Sequence, residues 1–188
     1  MKTKFFTGEG DKGESRVNNR SVSKSSALVD FLGGLDELNS WLGLCRAASE
    51  KSLEVKPLKV DVVEVFKKIQ NSLFIIQAEA AAQGFGYSKS PKIDEEKTRE
   101  LEEVITKIDG FLPKIEKFVI VGGTELSARL DIARAVARRV ERLAKKYSEE
   151  NPLSEPLLKF LNRLSSVLFA LARYVNYASG IAEEHPTY

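Results

Sequence analysis

The sequence predicts an all-α protein, a five-helix up-and-down bundle preceded by a glycine-rich loop. Three observations predict it. Apolar residues recur in steps of three and four along several segments. Glycine and proline punctuate the chain between those segments. The chain of 188 residues, 43% hydrophobic and 30% charged, has the length of one domain and the balance of a globular fold with its own core.

The stripes come first, because periodicity is the primary signal. Val62, Phe66, Ile69, Leu73, Ile76 and Ala80 form one. Leu126, Leu130, Ala133, Ala137, Val140 and Ala144 form a second, and Leu157, Leu161, Leu164, Leu168, Leu171 and Val175 a third. Each marks the seam of a bundled helix. Helices are expected over about 34–50, 60–84, 94–109, 124–148 and 153–179. Gly33-Gly34 stands before the first, with Asp36 and Glu37 near its positive end. Pro57, Gly84, Gly86, Pro91, Pro113, Gly122, Gly123 and Pro152 mark the connections. Residues 1–26 read as a loop and 27–188 as the bundle, together a single domain. The stretch 111–123 is apolar and too long for a simple turn, and a binding site is the commonest reason for such a connection.

Subtraction narrows the chemistry. A net charge of +2 provides no global field for nucleic acid. No apolar stretch approaches the roughly 20 residues that span a bilayer. Met1-Lys-Thr-Lys leads into two phenylalanines and a glycine-rich loop, without a signal-peptide core, so the expected location is cytoplasmic. One cysteine, Cys45, fits a reducing compartment. The single histidine, His185, removes histidine metal sites, Ser-His-Asp triads and Cys-His pairs. Any chemistry must rest on positioning and fixed charge.

Two segments carry candidate sites. Thr7-Gly8-Glu9-Gly10-Asp11-Lys12-Gly13-Glu14-Ser15 matches the dinucleotide fingerprint by letters and nearly matches a Walker A loop. The first requires a strand and helix around it, and the second requires a lysine after its last glycine. Neither condition is met. Glycines can still turn backbone N–H groups inward around an anion, with Lys12, Arg16 and Lys24 as mobile cations and Thr7 and Ser15 as hydroxyls. A tail with chance glycines is the alternative. In the fourth helix, Arg134, Arg138 and Arg142 span roughly 80° of one face, with Asp131 and Glu141 beside them and Arg139 pointing elsewhere. The face reads as a triphosphate cradle, because the guanidinium fork suits phosphate oxygens. It reads equally as a solvated surface laced by Asp131–Arg134 and Arg138–Glu141 pairs. A nucleic-acid helix extended by Lys145 and Lys146 is weakened by the lack of interleaved aromatics.

These pieces in this order resemble the PduO-type ATP:cob(I)alamin adenosyltransferases, over essentially the whole chain. The resemblance is carried by Thr7 with Gly10–Ser15, by Gly33 with Asp36–Ser40, and by Phe118–Thr124. It continues through Ala133–Arg142 and Asn162–Ser165. It implies a ferritin-like bundle that assembles as a homotrimer with active sites at subunit interfaces. It implies an enzyme that transfers the 5′-deoxyadenosyl group of ATP to the cobalt of reduced cobalamin. ATP, Mg²⁺ and the corrinoid are the implied ligands; a flavoprotein reductase and an adenosylcobalamin-dependent mutase are the implied partners. The loop Thr7, Gly8, Glu9, Gly10, Lys12, Gly13, Ser15 and Arg16 with Lys24 would wrap the phosphates. Arg138, Arg139, Glu141, Arg142 and Asn162 would complete the nucleotide site. Asp36 and Arg134 would pair beside the corrinoid, and Phe118 would press on its lower face, a core aromatic being the alternative there. Mg²⁺ would sit on the ATP phosphates. Gly8-Glu9 departs from the family, which usually has a lysine-containing pair there. A non-catalytic adenosylcobalamin carrier is the alternative function.

Overall fold

The computed structural model describes residues 5–6, 8–52, 58, 60–87 and 89–188, with backbone alone at 50–52. Five helices dominate: α1 (Ala27–Ser52), α2 (Val62–Phe85), α3 (Glu95–Asp109), α4 (Glu125–Tyr147) and α5 (Glu155–Ala178). Their ends follow from local chemistry. Asp61, Asp94 and Thr124 each accept a hydrogen bond from the backbone N–H three residues on, capping α2, α3 and α4. Gly86 closes α2 in the left-handed conformation, donating to the carbonyls of Ala82 and Gln83. The three stripes read from the sequence are the buried faces: every one of those residues is 3% exposed or less.

The helices pack in the order α3, α5, α4, α1, α2, each touching its neighbours in that series. The first helix differs from its expected extent. It begins at Ala27, and Gly33-Gly34 lies inside it rather than before it. Packing explains the difference. A Cβ at Gly34 would approach Leu143 Cδ1 to 2.9 Å and Val140 Cγ2 to 3.3 Å, so the glycine allows α1 to lie close against α4. Leu28, Phe31, Leu35, Leu38, Leu42 and Cys45 give this helix its own buried stripe, beginning before the glycines.

A second correction concerns residues 1–26. They contain an antiparallel hairpin, β1 (Glu14–Val17) and β2 (Arg20–Ser23), with Glu14 opposite Ser23 and Val17 opposite Arg20. Asn18 and Asn19 make its two-residue turn with φ of 47° and 63°, a backbone that asparagine tolerates. The Arg20 guanidinium stacks over the rings of Phe85 and Tyr87, 5.3 and 5.6 Å from their centres, docking the hairpin on the end of α2. Pro57 lies outside the described residues.

Buried polar groups tie the ends of the bundle. Glu79 of α2 is 5% exposed and accepts from the N–H of Ile93, ahead of α3, at 3.0 Å. Its other oxygen accepts from Ser154 Oγ, the cap of α5, at 2.5 Å. Tyr147 Oη donates to the Ala80 carbonyl at 3.0 Å. Both arrangements satisfy groups that would be costly to bury alone.

Candidate active site

The apolar connection 111–123 folds back over α4 and α5 and closes one side of a cavity of about 440 Å³. Phe118 and Val121 line it from the connection, Arg134 and Arg138 from α4, Ser166 and Phe169 from α5. Phe118 is 79% exposed, so it is not a core aromatic within this chain. Arg134 stacks over Phe169 at 5.8 Å and also lines a second, more open groove of about 600 Å³ with Arg139 and Arg142.

What neutralises each arginine separates their roles. Arg134 Nε donates to Asp131 Oδ1 at 3.2 Å. The expected Asp36–Arg134 pair is not formed within the chain: Asp36 faces solvent on α1, and Asp131, one turn before Arg134 on its own helix, takes the guanidinium. Arg139 binds Glu37 of α1 and braces α1 against α4. The surface pair Arg138–Glu141 is also missing, because Glu141 accepts from Asn162 Nδ2 at 2.8 Å. Arg142 Nη1 donates to the Arg138 carbonyl at 3.1 Å. Among the described residues, neither Arg138 nor Arg142 is in an ion pair. Two guanidiniums on one helix face without a carboxylate partner have donors free to meet an anion.

The N-terminal loop forms a separate cluster. Gly8 and Gly13 have φ of 74° and 84°, the backbone that lets successive N–H groups converge. Lys24 Nζ donates to the Gly10 carbonyl at 2.8 Å, and its N–H donates to the Gly13 carbonyl at 2.9 Å, so the hairpin's far end fixes the loop. Arg16 pairs with Glu9 at 3.1 Å, which turns the unusual acid onto the loop's own cation. Lys12 is exposed and Ser15 half-buried. Thr7 lies outside the described residues. None of the described loop residues lines either cavity, and Asp36 does not either.

Asn176 and Arg173 support the site without standing out in the sequence, and Asp131, read there as a partner of Arg134, has a second contact. Asn176 donates to the Gly122 carbonyl at 2.7 Å and accepts from the Thr124 N–H at 3.0 Å, and Asp131 accepts from the Gly122 N–H at 3.3 Å. Arg173 is buried and binds the Pro113 carbonyl at 2.9 Å. Its signal was available, as one arginine within the buried run Leu171–Val175. No group of three or more His, Cys, Asp or Glu side chains among the described residues converges to hold a metal. None of the helices described is long and apolar enough to cross a membrane.

Comparison with known proteins matches this geometry to a family. The model of the cobalamin adenosyltransferase family matches residues 5–175. The corrinoid adenosyltransferase of Bacillus subtilis (strain 168) is 34% identical over 180 residues, covering 96% of this chain and 90% of its own. The cobalamin adenosyltransferase of Cupriavidus metallidurans is 32% identical over 179 residues, covering 95% and 91%. A variant of the PduO-type ATP:corrinoid adenosyltransferase from Lactobacillus reuteri, solved with cobalamin and ATP, superposes with a TM-score of 0.86. It is 30% identical, over 97% of this chain and 99% of that one. By sequence, by fold and by the span of both, the chain belongs to the cobalamin adenosyltransferase family.

Proposed function

We propose that the chain transfers the 5′-deoxyadenosyl group of ATP to the cobalt of reduced cob(I)alamin, at sites shared between subunits. The observation that carries the reading is the cavity where exposed Phe118 meets the unpaired guanidinium of Arg138. One wall is apolar and suits a corrin ring; the other is cationic and suits phosphate. The family relatives are named for this activity, and the Lactobacillus reuteri structure was solved with both substrates.

The reaction needs little from protein side chains. Cobalt(I) provides the electron pair that forms the Co–C5′ bond, the C5′–O bond breaks, and its pair leaves with triphosphate as cobalt becomes Co(III). The protein's part is alignment, charge neutralisation on the leaving group and exclusion of water. Arg138 and Arg142 supply fixed positive charge, and Glu141 holds Asn162 in place beside them. Mg²⁺ would travel on the nucleotide phosphates, since no protein cage of acids converges to hold it among the described residues.

None of the described loop residues lines either cavity beside the arginine face, which favours a nucleotide site closed by a second copy; the family resemblance makes that assembly a homotrimer. The loop Gly8–Arg16 with Lys24 then holds the phosphates from one subunit, while the arginine face belongs to its neighbour. Asp36, exposed on α1, meets Arg134 only across such an interface. Cobalamin must be reduced to the Co(I) state before it can act as nucleophile, which calls for a reductase partner, and an adenosylcobalamin-dependent mutase would consume the product. A free buried cysteine suits the reducing cytoplasm. Replacing Arg138 with alanine tests the cradle. Turnover should fall by roughly 100-fold or more, as when a charge-stabilising donor is removed from a site. Wild-type turnover by that variant would contradict the assignment.

A further inference from the structure

Two chain segments frame Phe118, and one buried guanidinium holds both. Arg173 of α5 is 6% exposed. Its Nη2 donates to the Pro113 carbonyl at 2.9 Å, at the start of the connection that carries Phe118. Its Nε and Nη2 donate to the two carboxylate oxygens of Glu183, at 2.5 and 3.2 Å, in the segment after α5. From Glu183 that segment runs beside the connection. The Ile120 N–H donates to the Glu184 carbonyl at 2.8 Å, and His185 Nδ1 donates to the Phe118 carbonyl at 2.9 Å.

A buried arginine is costly unless its donors are met, and a forked pair to carboxylate fixes direction as well as energy. The Phe118 side chain, mostly exposed, has little packing to hold it, so its backbone must set where it stands. Neither Arg173 nor Glu183 lines the Phe118 cavity; both border a small void that shares Val119, Val121 and Phe169 with it.

We infer that Arg173 and Glu183 form a clamp that positions Phe118 at the corrinoid cavity and leaves nucleotide binding untouched. They are positioning residues, acting through the backbone of residues 113–120. The inference rests on the corrinoid reading of that cavity.

The test uses the full chain with Glu183→Gln, which keeps shape and removes charge, and Arg173→Lys, which keeps charge and removes the fork. KM for cobalamin and for ATP are measured separately, with tryptic cleavage after Lys114 and Lys117 timed on the unliganded protein. The clamp predicts faster cleavage at those two sites and a cobalamin KM raised roughly threefold to tenfold, as expected for a misplaced contact. The ATP KM stays within twofold of wild type. Should Arg173→Lys fail to fold, Glu183→Gln alone decides. Unchanged cleavage, unchanged cobalamin KM or an equal rise in both KM values overturns the clamp. An inactive wild-type protein whose loop still loosens in Glu183→Gln would instead overturn the corrinoid reading.

Discussion

Arg138 and Arg142 differ from the other arginines of α4 in their counter-charges. Arg134 answers to Asp131 and Arg139 to Glu37, while Arg138 and Arg142 make no ion pair among the described residues. Spacing alone put Arg134, Arg138 and Arg142 on one face with similar standing; only the partners chosen in three dimensions distinguish them. Cys45 shows the opposite kind of residue, inert by placement. Burial pushes its thiol up to about 12, and Arg129 and its own backbone N–H pull back less. The folded chain therefore keeps this proton between the ordinary value of 9.0 and about 12, where the unfolded chain releases it. Stability contributed by the neutral thiol is complete below that window and lost as pH rises through it. Urea midpoints should fall more steeply over that range in wild type than in Cys45→Ala, and equal slopes would show that the thiol is not protected.

The helices of the bundle were legible because burial and period coincide. Val62 through Ala80, and Leu157 through Val175, each place an apolar side chain on the same face every three or four residues, and that face is the core. The beginning of α1 was not legible. A glycine pair reads locally as a breaker, and its value lies in the approach of Leu143 from a helix more than a hundred residues away. The hairpin was hidden for another reason: strands of four residues are too short for alternation to show, although Asn18-Asn19 is a turn signal. The site's residue types were visible, and so was the local Asp131–Arg134 pair, which spacing on one helix reveals; the contacts of Glu141, Asn176 and Glu183 were not, since those residues choose partners across elements. The hairpin has its own prediction. Arg20 anchors it by stacking on Phe85 and Tyr87, a contact worth about 0.5–1 kcal/mol at an exposed site. Arg20→Ala should raise the ATP KM roughly twofold to fivefold with kcat nearly unchanged. An unchanged ATP KM in steady-state kinetics would mean that the anchor does not support the phosphate loop.

Over the whole molecule, each part of the chain does one task. The bundle provides a rigid frame, the connection 111–123 provides an apolar wall, α4 provides fixed charge, and the hairpin carries a glycine loop whose described residues line neither the Phe118 cavity nor the arginine groove. That separation is why the working unit is proposed as an assembly of copies. It is also why a chain with one histidine and one buried cysteine can serve a reaction whose nucleophile comes with the substrate. The most direct measurement is the visible spectrum of cob(I)alamin mixed anaerobically with ATP, Mg²⁺ and the purified protein, with triphosphate assayed alongside. The account predicts conversion to adenosylcobalamin with one triphosphate released per cobalt alkylated. Persistence of the cob(I)alamin spectrum while ATP is bound would contradict it and leave a protein that only carries its ligands.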